Sequence, residues 1–225
     1  MPATQKTDCH RCGTCCRNDG PALHREDIAL LQHGRITHAD LVTIRIGEPA
    51  YSPLVDRVEP STFELIKVAG TAASWTCRFF AAADNRCLIY EDRPLECRLL
   101  NCREPEPLLR IIGRDTLARS DLINPGDPVL QLIGEHEQRC SYGELNELIE
   151  KLRKGSAASQ ILDRLSELLQ EDIALRREAF EQWQLPPIME MFVFGRPLFF
   201  SVQQCGLTVV EEKGRLQCKI MNAEF

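Results

Sequence analysis

The chain has 225 residues, of which 44% are hydrophobic and 27% are charged, a balance typical of globular proteins with an ordinary core. A fold of this length needs no disulfide framework, so its 11 cysteines require a chemical explanation. The net charge of -6 argues against broad electrostatic binding of nucleic acid or anionic lipid. We therefore expect no nucleic-acid partner.

The N-terminal residues contain no apolar run that resembles a secretory signal, and no long apolar stretch suggests a membrane span. We therefore expect a cytoplasmic protein that does not contact a membrane. Thiols stay reduced in that compartment, where dense cysteines indicate metal or redox chemistry rather than disulfides. An odd number of cysteines also prevents complete pairing within one chain.

Two short helices and a strand are predicted between the first cysteines and the middle of the chain. The first helix covers residues 24–33 and ends at a glycine. The second begins at Thr37, where Asp40 can complete a cap, and carries apolar residues from Leu41 onwards. The strand is predicted over residues 63–68, where apolar and polar residues partly alternate.

A β-hairpin is predicted next, because residues 78–80 and 87–90 flank an Asp-Asn turn. Pro94 suits the first turn of a helix that runs through Cys97. The Glu-Pro-Glu-Pro sequence that follows disfavours helix and strand and indicates a boundary. We predict a metal-binding region over residues 1–105 and a mostly helical region over 106–225, or else one continuous domain.

The C-terminal half favours a helical hairpin. Ser141 and Glu144 have the spacing of a capping box before a helix, and a long amphipathic helix follows Gly155. The last residues predict a closing β-hairpin around Lys213-Gly214. The predicted fold class is therefore α+β, mainly helical, with a small β-hairpin or sheet around a cysteine metal cluster. We interpret the apolar stripe of the C-terminal helices as core, or alternatively as a surface for a protein partner.

The densest chemical signal is a run of four cysteines, Cys9, Cys12, Cys15 and Cys16. Two residues between cysteines let a tight turn aim both sulfurs at one metal, as in zinc knuckles and iron–sulfur loops. Neighbouring residues of an extended chain point to opposite sides, so Cys16 could face a second ion, bridge two ions or lie outside the ligand set. His10, inside the same run, is a weaker candidate ligand.

Four later cysteines are predicted to complete the site, and they are Cys77, Cys87, Cys97 and Cys102. The ends of two strands and the start of a helix can converge on one point. Several arginines lie among these cysteines, and Arg93 and Arg98 are the best placed to hold a cofactor and offset thiolate charge. The remaining cysteines, Cys140, Cys205 and Cys218, are predicted to be buried structural thiols.

The other histidines have no partner at ligand spacing and are predicted to lie at the surface or at helix caps, and they are His24, His33, His38 and His136. No nucleophile elbow, phosphate-binding loop, dinucleotide fingerprint or metalloprotease motif is present. The sequence therefore leaves open whether the protein is an enzyme.

The first cysteine run and the segment CLIYEDRPLECR over residues 87–98 together resemble the YkgJ-like CxxCxxCC family, which is regarded as zinc- or iron-chelating. The resemblance covers roughly residues 9–102. It implies that seven cysteines are family cysteines, namely Cys9, Cys12, Cys15, Cys16, Cys77, Cys87 and Cys97. A related cluster occurs in flagellin lysine methyltransferases, which are thought to use an iron–sulfur cluster with S-adenosylmethionine.

Three functions follow from these patterns. The first is a metal-binding protein with a structural or metal-handling role, in which eight cysteines hold zinc, the metal we favour, or iron. The second is an iron–sulfur-dependent enzyme of redox or methyl transfer, in which three or four cysteines hold a 4Fe–4S cluster. The third is a protein-interaction module that metal ions only stabilise.

Overall fold

The computed structural model describes residue 9 and residues 11–71, 75–155 and 158–220. The predicted class, α+β and mainly helical, is confirmed. The α-helices are α1 (Thr14–Asn18), α2 (Ile28–Gln32), α3 (Leu95–Leu99), α4 (Glu106–Leu109), α5 (Arg119–Leu122), α6 (Val129–Arg139), α7 (Tyr142–Arg153), α8 (Ala158–Glu181), α9 (Glu190–Phe194) and α10 (Leu198–Gln204). Among the described residues no helix is long and apolar enough to cross a bilayer.

The strands are short. They are β1 (Leu41–Ile44), β2 (Pro49–Ser52), β3 (Arg57–Pro60), β4 (Leu65–Val68), β5 (Gly70–Thr71), β6 (Thr76–Cys77), β7 (Phe80–Ala81), β8 (Arg86–Cys87), β9 (Leu207–Glu212) and β10 (Arg215–Ile220). They form antiparallel pairs, β1 with β4, β2 with β3, β5 with β6, β7 with β8 and β9 with β10. Three predicted elements are thereby confirmed: the strand at β4 and the hairpins β7–β8 and β9–β10.

The second predicted helix is wrong beyond its first turn. Its cap forms, because the backbone N–H and the hydroxyl of Thr37 each donate to Asp40 Oδ2 at 2.8 Å. After this short turn the chain extends as β1, whose four residues are all buried. Leu41 pairs with Val68 and Ile44 with Leu65 in the ladder to β4. Branched side chains gain more from burial in this ladder than from a single exposed helical turn.

The helical hairpin of the C-terminal half is confirmed as α7 packed against α8. The Ser141 hydroxyl caps α7 by accepting a 3.1 Å bond from the Gly143 N–H. The capping box is only half right, because Glu144 reaches away from the cap and bonds Arg164 at 2.7 Å. The apolar stripe of both helices is buried with α10 and the β9–β10 hairpin, so it is core.

A second core lies nearer the N-terminus and draws on both halves of the chain. It packs β1 and β4 against the segment that carries Cys77 and Phe80, and α9 closes it from the far end of the sequence. The Thr43 hydroxyl donates to the Phe192 carbonyl at 2.5 Å across this contact. This core supports the cysteine-bearing segments from beneath.

Buried charges connect the two cores. Arg45 is fully buried and donates to Glu137 through Nε at 2.9 Å and through Nη2 at 2.8 Å. Arg119 reaches the same carboxylate at 2.6 Å and also bonds Glu64. Buried ions persist only when paired in this way, so the network fixes the relative position of the elements it joins.

Candidate metal centre

All eight cysteines predicted as ligands line one cavity of about 250 Å³. Its cysteines are Cys9, Cys12, Cys15, Cys16, Cys77, Cys87, Cys97 and Cys102. Residues far apart in sequence thus present their thiols to the same space. The rest of the described wall is mostly apolar, with Phe79, Phe80 and Ile89 among its members.

The cavity cysteines are placed by several different local structures. Cys15 and Cys16 lie in α1, and Cys77 and Cys87 lie in β6 and β8. Cys97 lies in α3, as the helix predicted after Pro94 required. The other cysteines lie on the segment before α1 or on the turn after α3.

Gly13 shapes the loop that carries the first cysteines. It precedes α1 with φ 77°, a left-handed conformation that residues with a Cβ rarely adopt. A Cβ at this position would also lie 2.6 Å from the Cζ atom of Phe80 in the cavity wall. Glycine therefore lets the chain turn between Cys12 and Cys15 while it rests against that ring.

The thiols form a gradient of burial. Cys77 is buried, whereas Cys9, Cys12 and Cys102 are exposed. The other four cavity cysteines are half-buried. The cavity therefore has a floor that is continuous with the core and a mouth that is open to solvent.

Hydrogen bonds and burial give these thiols different pKa values. The sulfurs of Cys15 and Cys16 lie 3.9 Å apart, and their hydrogen bond lowers the pKa of Cys15 to about 6 and raises that of Cys16. A bond with the Thr14 hydroxyl lowers the pKa of Cys12. Burial raises the pKa of Cys77 to about 11. Metal uptake by the deeper thiols must therefore displace protons.

Burial is also the main cause of the raised pKa of Cys97, and the negative charges of Cys77 and Cys15 add to it. Burial likewise raises the pKa of Cys87, and the charges of Cys9 and Cys15 add to the increase. These thiols are close enough for each thiolate to repel the next. A bound cation would relieve that repulsion, which is the electrostatic reason for thiolates to gather around a metal.

The donor set decides which metals fit. Among the described lining residues, the charged side chains are Arg11 and Arg93, and no carboxylate faces the cavity. Hard cations such as Mg²⁺ and Ca²⁺ prefer oxygen ligands, whereas zinc and iron–sulfur centres are held by thiolates. The residues present therefore fit zinc or iron. Zinc bound there would act as a structural ion, and an iron–sulfur cluster would supply electron transfer or an open iron position.

The sulfurs surround the cavity rather than meet at a point. Within the described residues, the three-residue set whose ligand atoms all lie within 4.8 Å of one another is His136, Cys140 and Asp172, away from the cavity. Sulfurs on one tetrahedral zinc lie about 3.8 Å apart, since each Zn–S bond is about 2.3 Å. The sulfurs of Cys15 and Cys16 have nearly that spacing, at 3.9 Å.

Geometry alone would allow a metal at the His136, Cys140 and Asp172 set. The carboxylate of Asp172, however, already accepts bonds from His136 Nε2 at 2.7 Å and Arg176 Nε at 2.8 Å. The positive charges of Arg45 and Arg176 act on the same histidine and help to lower its pKa. We therefore assign these residues to the buried charge network and not to a metal site.

Two arginines stack on one tyrosine at the cavity mouth. The guanidinium of Arg93 lies 3.8 Å and that of Arg11 4.7 Å from the centre of the Tyr90 ring. Arg93 Nε also donates to the Tyr90 carbonyl at 2.8 Å. Arg93 thus lines the cavity as the sequence predicted, and Tyr90 is a wall residue that the sequence reasoning did not select.

Arg98 lies differently from Arg93. Its Nη2 donates to Glu26 at 2.6 Å, outside the cavity, and its Nε donates to the Arg93 carbonyl at 3.1 Å. Arg17, in contrast, lies close to the first cysteines, where its Nη1 donates to the Cys12 carbonyl at 3.1 Å. Arg98 is therefore placed to hold the segment that carries Arg93.

The position predicted for His136, at the surface or at a helix cap, is wrong, because it is buried inside α6. His24 is buried too, but it caps the short helical turn Arg25–Asp27, so the helix-cap alternative is right for it. His24 and His136 are 2% and 0% exposed, respectively. His24 Nδ1 donates to the Arg114 carbonyl at 2.8 Å, and its Nε2 faces Glu96 at 3.4 Å. Partners about 70 to 90 residues away in sequence, which spacing cannot reveal, explain the burial of His24. The prediction for His10 falls outside the described residues.

The three cysteines beyond the cavity agree with their predicted packing. Cys140 and Cys218 are buried and Cys205 is half-buried. Burial raises the pKa of Cys140 to about 12 and that of Cys218 to about 11. They remain neutral thiols near neutral pH and serve as internal controls for the cavity cysteines.

Residues 8–110 match the family model CxxCxxCC, whose description is "Putative zinc- or iron-chelating domain". This segment is similar to that family, and we call it the CxxCxxCC domain. The resemblance inferred from the cysteine spacing is therefore confirmed, and the match supports a metal-binding role without distinguishing zinc from iron. Comparisons with curated proteins and with solved structures gave no match. Every cysteine of the cavity lies within the CxxCxxCC domain.

Proposed function

We propose that the CxxCxxCC domain binds zinc or iron through the eight cavity cysteines, and that the metal fastens the N-terminal segment to the core. The observation that carries this proposal is that eight cysteines line one cavity whose described wall contains no carboxylate. Eight reduced thiols in one cavity would be a liability without a metal, since exposed thiolates oxidise readily.

The weakness of α1 supports a fastening role. This helix has five residues, none of them buried, and its N-cap makes no side-chain hydrogen bond. Isolated helices of that length are unstable in water. Metal bonds from Cys15 and Cys16 to an ion shared with Cys77 would attach α1 to a strand that belongs to the core.

Metal analysis and thiol counting test the proposal together. Protein purified without oxygen should contain zinc or iron, and the bound metal should protect the cavity thiols from an aromatic disulfide reagent. Cys16→Ser should lower the metal content and the melting temperature. Cys205→Ser is the matched control, because Cys205 is also half-buried but lies outside the cavity. Equal metal content in both variants, or a chain purified without metal, would refute the proposal.

An iron–sulfur-dependent enzyme is the second candidate, and the breadth of the cavity favours it. Four thiolates on one ion would fill their shared space, whereas this cavity of about 250 Å³ is several times the roughly 30 Å³ that one water occupies in the liquid. An iron–sulfur cluster needs such a space, since its thiolates bind different iron atoms. Protein prepared without oxygen would then be brown and contain iron and sulfide, whereas colourless, iron-free protein would exclude this candidate.

A further inference from the structure

We infer that the centre has two kinds of metal position, a permanent inner one and an exchangeable outer one. This inference rests on the proposed function and specifies how the site handles metal. The inner position is formed by four thiols, Cys15, Cys16, Cys77 and Cys97. The outer position is formed by three thiols, Cys9, Cys12 and Cys102, with Cys87 between the two groups.

The inner thiols are attached to the body of the protein. Cys77 belongs to the N-terminal core and Cys16 packs against it. Helix α3, which carries Cys97, is anchored at its start because the Leu95 N–H donates to the buried Asp27 carboxylate at 2.8 Å. The next residue, Glu96, accepts a 2.7 Å bond from the Ala22 N–H and so ties α3 to a second segment. An ion bound by these thiols would draw their sulfurs together and would link α1 to segments that are already tied to the core.

The outer thiols are exposed, and the hydrogen bonds described for the sulfurs of Cys9 and Cys12 are local. The Cys9 sulfur accepts a 3.4 Å bond from the Arg11 N–H, and the Cys12 sulfur bonds the Thr14 hydroxyl at 3.4 Å. Each of these partners lies two residues away along the chain. Cys102 lies in the turn after α3, where the nearby hydrogen bond from Arg103 to Asn101 is equally local. These local bonds hold the outer sulfurs less firmly than core packing holds Cys77 and Cys16.

Access and coordination number make the outer ion the exchangeable one. A metal leaves a thiolate site when an incoming ligand reaches it, and the outer thiols are more exposed than the other cysteines of the cavity. Three protein ligands leave one position of a tetrahedral ion open, as in catalytic zinc sites, whereas four thiolates close it. The mouth also carries Arg11 and Arg93, which make no ion pair with any described carboxylate and so favour anionic chelators as exchange partners.

The test uses the full chain loaded with zinc without oxygen and freed of excess metal by gel filtration. A chromogenic anionic chelator, 4-(2-pyridylazo)resorcinol, then reports zinc release over time. We expect two phases, a fast one from the outer position and a slow one from the inner position. The triple variant Cys9→Ser, Cys12→Ser and Cys102→Ser should lose the fast phase and keep both the slow phase and the melting temperature.

The double variant Cys16→Ser and Cys97→Ser should lose the slow phase, and Cys205→Ser should retain both phases. Release of all zinc in one phase would overturn the inference, and so would a triple variant that retains its circular dichroism spectrum but no zinc. A wild-type chain that retains no zinc or iron refutes the metal centre itself. A failure of the proposed function is thereby distinguished from a failure of the two-position arrangement.

Discussion

The substitution Asp172→Asn tests the buried charge network that holds the C-terminal helices. Asp172 lies in α8 and is 1% exposed. Its carboxylate accepts from His136 Nε2 at 2.7 Å, from Arg176 Nε at 2.8 Å and from the Leu198 N–H at 2.9 Å, which joins α6, α8 and α10. Asparagine has a similar shape but no charge and only one accepting oxygen, so donors are left unpaired in the interior.

Breaking a buried ion pair costs roughly 3–5 kcal/mol, because one charge remains without compensation. We expect a cost at the lower end of this range, because Arg176 keeps a second contact, with Glu190 at 3.0 Å. For a domain of this size each kcal/mol lowers the melting temperature by roughly 2–4 °C. A loss of about 3 kcal/mol therefore predicts a melting temperature lower by roughly 6–12 °C in calorimetry at constant metal loading.

Glu171→Gln is the matched control, because it neutralises the neighbouring residue of the same helix. The Glu171 carboxylate is 31% exposed and lies 3.4 Å from Arg164 and 3.8 Å from Arg139. Pairs of that kind contribute about 0–1 kcal/mol. The reasoning is refuted if both variants lower the melting temperature equally. Metal content should match the wild type in both, since neither residue lines the cysteine cavity.

Three further outcomes are expected. Burial lowers the pKa of His136 from 6.5 to about 4. The stability that comes from burying neutral His136 is therefore fully present above pH 6.5 and is lost as the pH falls towards 4. The free energy of unfolding measured with urea should fall by roughly 3 kcal/mol between pH 6.5 and pH 4. A His136→Gln variant whose stability falls equally over this range would show that His136 is not the cause. Gly13→Ala should lower the metal content because its Cβ would clash with Phe80, whereas Gly34→Ala, with φ 66° and open space around it, should keep its metal. Arg11→Gln should slow zinc transfer to an anionic chelator several-fold relative to the wild type, and raised salt should reduce the difference between the two rates. An unchanged rate would show that Arg11 does not attract the chelator.

Elements defined by local chemistry were predictable. The Ser141 cap and the apolar residues that follow it are enough to specify α7, and alternation identified β4. The eight cysteines selected from the sequence all line the cavity. These signals are carried by residues within a few positions of each other, where sequence and geometry are directly linked.

Features that depend on distant partners were not predictable. The strand β1 takes its conformation from β4, whose partner residues are about 20 to 30 positions away. Arg45 is buried only because Glu137 lies opposite it, 92 residues later. Tyr90 becomes part of the cavity wall because two arginines stack on its ring. No local pattern encodes such pairings, since they arise only when the chain is folded.

Helix α9 completes the core beneath the CxxCxxCC domain, although it lies far outside that domain in sequence. The family match ends at residue 110, yet Phe192–Phe194 cover β1 and the Phe192 carbonyl accepts the Thr43 hydroxyl bond. A gene fragment cut at the end of the match would leave the apolar side of β1 exposed to water and prone to aggregation. We therefore expect a fragment that ends at residue 110 to fold poorly, because the C-terminal helix α9 covers part of the core beneath the metal-binding segment.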